Sequence, residues 1–241
     1  MKLGVFGVAR QAVVGVLVLV LLGSPCAAPA KPRLATGEDA EVTYDGLHRV
    51  DKTVMSMAWV KPDINLEPYT KLMVVGAGIS YAPVDDEGKR WWPGRSDITQ
   101  FPISDEGKQR LRKEVSEAFA KELGKLQRYE LVTEPGQGVL ALVGGLIDVV
   151  SRVPPVDDCV GRCDIYLDQV GQATLVLELR DSVTNEVLAR AADRRAAESA
   201  GWGLEANTVT VWSEVRRLAS TWARIVRKRL EELNSVDDLG R

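Results

Sequence analysis

Cys159 and Cys163, in the run Asp-Asp-Cys-Val-Gly-Arg-Cys-Asp at residues 157–164, are the first candidates for chemistry. Three residues separate them, one more than in a typical redox pair, and Gly161 lets the small loop close. A zinc site needs about four ligands. The acids nearby, Asp157, Asp158 and Asp164, are hard donors that match soft thiolates poorly, so the set selects no metal. In an oxidising compartment the expectation is a structural Cys159–Cys163 disulfide, with a free thiol pair and a metal site as the competing readings.

The other candidates are weaker. Gly76-Ala77-Gly78 resembles the start of a dinucleotide fingerprint, but Tyr81 stands where the third glycine belongs and Pro83 follows where a helix should begin. Without a helix N-terminus nothing holds a pyrophosphate, and the segment reads as a strand ending in a turn. His48 is the sole histidine, and no G-x-S-x-G elbow accompanies it, so a nucleophilic triad has no second member. The paired carboxylates Asp85-Asp86, Asp157-Asp158 and Asp237-Asp238 lie in polar loops or at the tail and read as solvated charge. Trp91-Trp92, followed by Pro93-Gly94-Arg95, is the candidate partner contact, because tryptophan is common among binding hot spots; the competing reading is a cover over the domain's own core. No catalytic, cofactor-binding or metal-ligating residue is therefore assigned.

These residues are carried by recognisable elements. Residues 54–60 read as a short extended stretch closed by Lys61-Pro62, and residues 72–75 as an apolar strand. After a Pro/Gly-rich loop over 82–102, Leu111, Val115, Ala118, Phe119, Leu123 and Leu126 recur at helical spacing. Ser104 is placed to cap that helix, Asp105 and Glu106 suit its positive end, and Lys121, Lys125 and Arg128 its negative end. Residues 139–150 are almost continuously apolar, as in a central strand. Ala173, Leu175, Leu177 and Leu179 alternate with polar residues, as in a half-buried one. Residues 181–186 read as a turn with Asn185 in the left-handed region, returning into a paired strand over 187–192. A last helix carries Val211, Val215, Leu218, Trp222, Ile225 and Leu233 on one stripe, with Asn207 or Thr208 as cap. Its arginines and lysine, Arg216, Arg217, Arg224, Arg227, Lys228 and Arg229, stand among Glu214, Glu231 and Glu232 and read as a solvated face. The expected fold is α+β, a mainly antiparallel sheet with two long amphipathic helices packed on one face.

The amino terminus sets the compartment. Lys2 and Arg10 precede an apolar run over 12–23, Ser24 and Pro25 break it, and Ala28-Pro29-Ala30 offers small residues for cleavage. The run is shorter than the ~20 residues of a membrane span. The division expected is a signal peptide over 1–30, cut between Ala30 and Lys31, a polar linker over 31–45, one α+β domain over 46–235 and a polar tail over 236–241. Cys26 raises lipidation as the alternative, but Pro25 fits poorly where a small residue should precede the modified cysteine. The 241-residue chain has a net charge of −3. Removing Lys2 and Arg10 with the leader leaves 29 basic against 34 acidic residues, a net −5. That balance argues against nucleic acid or anionic lipid as partner, and membrane attachment would require an uncleaved leader or a lipidated Cys26.

Gly46-Leu47, Ala58-Trp59-Val60-Lys61-Pro62, Tyr69 leading into residues 72–75, Asp181, the run Thr184-Asn185-Glu186-Val187-Leu188-Ala189, and Trp222-Ala223 together form a pattern. It resembles a bacterial group of exported proteins and lipoproteins, domain-of-unknown-function family 3313, over about residues 46–235. Many members look like lipoproteins, and Pro25 departs from that pattern. The resemblance implies no activity, cofactor or catalytic residue. The turn around Thr184 is also similar to one in envelope-assembly and transport-accessory lipoproteins, a likeness of fold and not of function. The expected protein is thus periplasmic or secreted, with a membrane-anchored lipoprotein as the alternative, and it is a non-catalytic domain that binds an envelope protein partner. The competing reading is a periplasmic enzyme built on scattered carboxylates or on Cys159 and Cys163.

Two measurements check the processing. Intact mass of the protein recovered from the envelope of a bacterial host should show a chain beginning at Lys31; uncleaved chain in the membrane, or a lipid on Cys26, would replace that expectation. Non-reducing peptide mapping of the same material should find Cys159 and Cys163 joined, whereas two alkylatable thiols would refute the disulfide.

Overall fold

The computed structural model describes residues 32–35, 40–84, 100–154, 166–198, 204–205 and 207–234. Two short strands open it, β1 (Arg33–Leu34) and β2 (His48–Asp51), followed by β3 (Met57–Val60), which stops before Pro62 as the sequence requires. The apolar run from Leu72 belongs to a longer strand, β4 (Lys71–Tyr81). Helix α1 (Asp105–Leu123) begins where Ser104 caps it, the serine Oγ accepting a hydrogen bond from Gly107 N at 3.1 Å. Then come β5 (Glu130–Val132), β6 (Val139–Ser151), β7 (Tyr166–Leu167), β8 (Gln169–Asp181), β9 (Val187–Glu198) and β10 (Leu204–Glu205). Helix α2 (Thr208–Glu232) closes the order. Asn207 caps it, its side chain accepting from Val209 N and Thr210 N.

Eight strands form one sheet in the order β1-β2-β3-β9-β8-β6-β4-β5, and β7 pairs with β10 apart from it. The expected α+β class holds, but the sheet is mixed and not mainly antiparallel. β4 runs parallel to both of its neighbours, β5 and β6. The reason is the connection: α1 lies between β4 and its partners β5 and β6, and a crossover that contains a helix is long enough to return the chain in the same direction. Gly76-Ala77-Gly78 is no turn either. It lies inside β4, where the register with β6 shifts between Gly76 and Gly78 and Gly78 takes φ +99°. Facing it, a Cβ on Gly145 would sit 2.9 Å from the Gly78 carbonyl oxygen, so the glycine permits the strands' close approach. Beyond Met73, β4 has lost its β5 partner. Val74 there is 47% exposed.

The turn after β8 is the one expected. Asn185 has φ +61°. Asp181 Oδ1 accepts from Val183 N and Thr184 N, both at 2.8 Å. Its other oxygen accepts from the Tyr69 hydroxyl at 2.8 Å. Burial first, and then the adjacent carboxylate, push the Tyr69 phenol up to about 12.

One face of the sheet carries the core. Leu175, Leu177 and Leu179 on β8 point to the same side as Leu142 and Leu146 on β6, and they share a buried cluster with Trp222, Val226 and Leu230 of α2. Leu111, Val115 and Phe119 of α1 pack against that cluster. The helices contact one another and are cross-linked by Arg216 to Glu114 at 3.0 Å and by Arg227 to Glu122 at 3.4 Å. The cationic face of α2 is thus an ion-paired one, with Arg217 on Glu214 and Arg229 on Glu232 as well. Arg128 does not serve the end of α1. Its guanidinium donates to the carbonyl of Leu233, the C-cap of α2, at 2.7 Å and to Leu66 O at 3.1 Å, so it ties the end of α2 to the segment before β4.

Asp193 fastens α2 to the sheet. It lies on β9, 2% exposed, on the core-facing side opposite Leu175. Its Oδ1 accepts from Ser56 N and Ser56 Oγ, both at 2.9 Å. Its Oδ2 accepts from the Trp222 indole at 2.8 Å and from Arg195 Nε. Burial raises the carboxyl's pKa, but the bonds from Arg195, Trp222 and Ser56 outweigh it, so the net shift is downward. A depressed value stabilises the fold above the ordinary 3.8, and that contribution is lost as pH falls through the folded value. Asp193→Ala should cost about 3 kcal/mol at pH 7, because it strands an indole, a hydroxyl and a guanidinium. Urea unfolding checks it, with the deficit shrinking towards pH 3; a loss under ~0.5 kcal/mol would show the cluster to be dispensable.

Candidate functional site

Among the described residues, those singled out from sequence do not converge on a reaction centre. His48 lies half-buried in β2, paired in register with Val60, and its imidazole makes no hydrogen bond among the described residues. No group of three or more His, Cys, Asp or Glu among the described residues could hold a metal ion. Trp91, Trp92, Cys159 and Cys163 lie outside the described residues, as do Cys26, Ala30, Lys31 and the pairs Asp85-Asp86, Asp157-Asp158 and Asp237-Asp238.

The polar clusters that are described hold the fold together. On the sheet face turned away from the helices, Glu178 accepts from Arg190 Nε at 2.8 Å and Arg180 Nε at 2.9 Å. Arg190 also reaches Asp45 at 2.9 Å. Burial pushes the Glu178 carboxyl up, and the two guanidinium groups together pull it below its usual value. Each charge there has an opposite partner, so the network offers no displaced pKa for proton transfer near neutrality.

Among the described residues a cavity lies between α2 and the sheet. It measures about 450 Å³. Its floor is set by the small side chains Ala58, Ala189 and Ala191. β9 places Ala189 and Ala191 directly beside Leu179 and Leu177, on the same face as Asp193, and Ala58 of β3 pairs with Ala191. All three alanines are only half-buried although they face the helix, because open space and not side chain lies against them. The roof is Ile225, Val226, Arg229 and Leu230 of α2 with Leu233 at its C-cap.

The gap has a mechanical cause. Along β9 from Asp193 to Ala189, the helix proceeds from Trp222 to Leu233. At the first end an indole, 1% exposed, stands between helix and strand. At the other end alanines replace that bulk, and the helix held off by Trp222 cannot close down on them. The interior is apolar, with Leu142, Leu177 and Leu179 at its inner end. The polar residues that line it are already engaged: Arg190 with Glu178 and Asp45, Arg229 with Glu232 at 2.9 Å, and Thr53 as acceptor from Met55 N. Trp59 donates its indole N–H to Glu41 at 3.2 Å. Such a cavity can hold an apolar group and supplies nothing to transform one. Sequence reasoning missed it, although β9 does carry a signal: Ala-Arg-Ala-Ala-Asp at 189–193 sets small residues at alternate positions where β8 sets leucines.

No helix among the described residues is long and apolar enough to cross a membrane. None of the curated proteins compared with the chain matches it. Among solved structures, the PelC dodecamer from Paraburkholderia phytofirmans is similar at 12% identity and a TM-score of 0.35, over 70% of this chain and 96% of that one. Protein XCC0632 from Xanthomonas campestris, described by family model DUF330, is similar at 14% identity and a TM-score of 0.35, over 66% and 82% of the two chains. A putative neuraminyllactose-binding hemagglutinin homolog from Helicobacter pylori is similar at 12% identity and a TM-score of 0.36, over 69% and 87%. Scores this low transfer neither fold nor function. The sequence itself is decisive about kinship: the model of a family of proteins of unknown function, DUF3313, matches residues 37–226, and the chain belongs to that family.

Proposed function

We propose that the chain is an exported cell-envelope protein whose single α+β domain binds a protein partner without catalysis, as an accessory to an envelope assembly or transport system. The leader over 1–30 directs it out of the cytoplasm. The observation that carries the reading is the fate of the ionisable groups. Asp45, Asp181, Glu122, Glu178 and Asp193 each have a carboxyl held below its usual value by hydrogen bonds within the fold: Asp45 first by Thr43, Asp181 first by the Thr184 N–H, Glu122 first by Lys125, and Glu178 and Asp193 by guanidinium and other donors that outweigh their burial. A general acid or base near neutrality needs the opposite displacement. The residues around Asp181 and Trp222 serve the turn and the helix–sheet junction, which are structural tasks.

Crosslinking in the envelope of a living bacterial host tests this. The wild-type chain should yield a discrete crosslinked partner. Trp91→Ala/Trp92→Ala should lose that species at least tenfold while keeping its far-ultraviolet circular dichroism. Absence of any partner for either protein, together with turnover of an ester or thioester substrate, would overturn the reading. A double variant that unfolds would place the tryptophans in the core, and the same crosslinking with single charge reversals along α2 would then locate the contact.

A further inference from the structure

We propose that the cavity between α2 and the sheet is a binding site for one saturated aliphatic chain, such as the acyl chain of a fatty acid or lipid. This adds a small ligand to the protein partner inferred above, and neither depends on the other. Length, volume and chemistry argue for it separately.

The lining runs across the sheet from Val50 on β2, through Ala58 on β3, Ala191 on β9 and Leu177 on β8, to Leu142 on β6. Those are four steps between neighbouring strands, or ~19 Å at the usual ~4.8 Å spacing. An extended hydrocarbon advances about 1.3 Å per carbon, given a C–C bond of ~1.5 Å, so that length holds about fifteen carbons. The volume of about 450 Å³ gives the same answer. Shared among fifteen methylenes it allows ~30 Å³ for each, the share that liquid water takes for a molecule of similar size. A compact ligand, such as a sugar or nucleotide base, would fit the volume and not the length.

The chemistry excludes a peptide. Every buried backbone N–H and C=O needs a partner, and leaving one unpaired costs more than its burial returns. The interior offers leucine, valine and alanine, and the polar side chains along it already have partners. Hydrocarbon is the occupant that asks for nothing the walls lack. Arg229 and Glu232 also line the cavity, Arg229 partly exposed and Glu232 exposed. A carboxylate or phosphate head would meet the Arg229 guanidinium there and remain in water.

The test uses the full chain, expressed in a bacterial host, recovered from the envelope and freed of bound lipid. Saturated fatty acids of increasing length, and hexadecanol for comparison, displace the fluorescent probe 1-anilinonaphthalene-8-sulfonate. Affinity should rise on the order of tenfold for each two methylenes and level off near fifteen carbons. Hexadecanol should bind, more weakly than hexadecanoate, and Arg229→Gln should remove that difference. Ala189→Leu/Ala191→Leu fills the floor and should weaken hexadecanoate at least tenfold while retaining the far-ultraviolet spectrum. Should that pair fail to fold, Ile225→Trp fills the same space from the helix. Transfer of labelled chains from phosphatidylglycerol vesicles, tested against the same variants, distinguishes a diacyl lipid from a free acid as the source. Absence of saturable binding at any chain length would overturn the proposal. So would binding that neither filled variant weakens, because it would then be surface adsorption. Envelope crosslinking by the filled variants should be unchanged, which keeps failure of the lipid site separate from failure of the partner reading.

Discussion

Asp193 is a carboxylate in a place where a carboxylate is expensive. Taking it out of water costs several kcal/mol, and only well-directed donors offset that. The donors come from three separate parts of the chain: Ser56 just before β3, Arg195 two residues on along β9, and Trp222 in the middle of α2. Hydrophobic burial would hold the helix somewhere on the sheet, but it is non-directional. The Trp222–Asp193 bond turns that loose preference into one position, because the indole N–H has one direction and the buried oxygen one location. The height of α2 above β9 follows from it, and so does the room left over the alanines.

The two faces of the sheet divide the work. The helix-covered face supplies most of the apolar area, with Leu72, Leu140 and Leu175 nearly inaccessible. The opposite face is stitched by side-chain ion pairs, with the turn carrying Asp45 folded against Arg190. Burial there is partial, so these pairs contribute modestly to stability, yet they fix which strand residue meets which and so help keep β8 and β9 in register.

Much of this was legible in the residues. Ser104 and Asn207 end their helices because their side chains reach backbone donors that a helix leaves unpaired, and that logic is local. Asn185 takes the left-handed region for equally local reasons. The direction of β4 was not legible by the same means. Period-two patterning says that a strand exists and is silent on which neighbour it meets; only the helix-length connection to β6 carried that information, and it had to be read as topology. Gly76 to Gly78 misled because two glycines suggest a turn when the real cause is a bulge and a close neighbour, Gly145. Asp193 was invisible for a different reason. In Ala-Asp-Arg-Arg it looks like an ordinary surface acid, and its burial becomes apparent only once Ser56 and Trp222, distant in sequence, are seen to meet it. The cavity shares that origin: alanine is unremarkable in a strand until a tryptophan props the facing helix away. The candidates that looked most chemical, the two cysteines and the two tryptophans, lie outside the described residues.

β3 pairs with β9, and Ser56 meets Asp193 across 137 positions of sequence. Ribosomes release the amino terminus first. Until β9 has been made, β2 and β3 can pair only with each other and with β1, and a short hairpin ribbon of that kind is marginal in water. β4 waits likewise for β6. The first half of the chain is therefore delivered as an unsatisfied set of strand edges, and the sheet closes inwards only when the late β8–β9 hairpin arrives as its template. Such long-range closure is slow. The molecule's exposure to misassembly is thus greatest before its last quarter exists, and an attendant that shields extended apolar chain would matter more to its biogenesis than to its finished state.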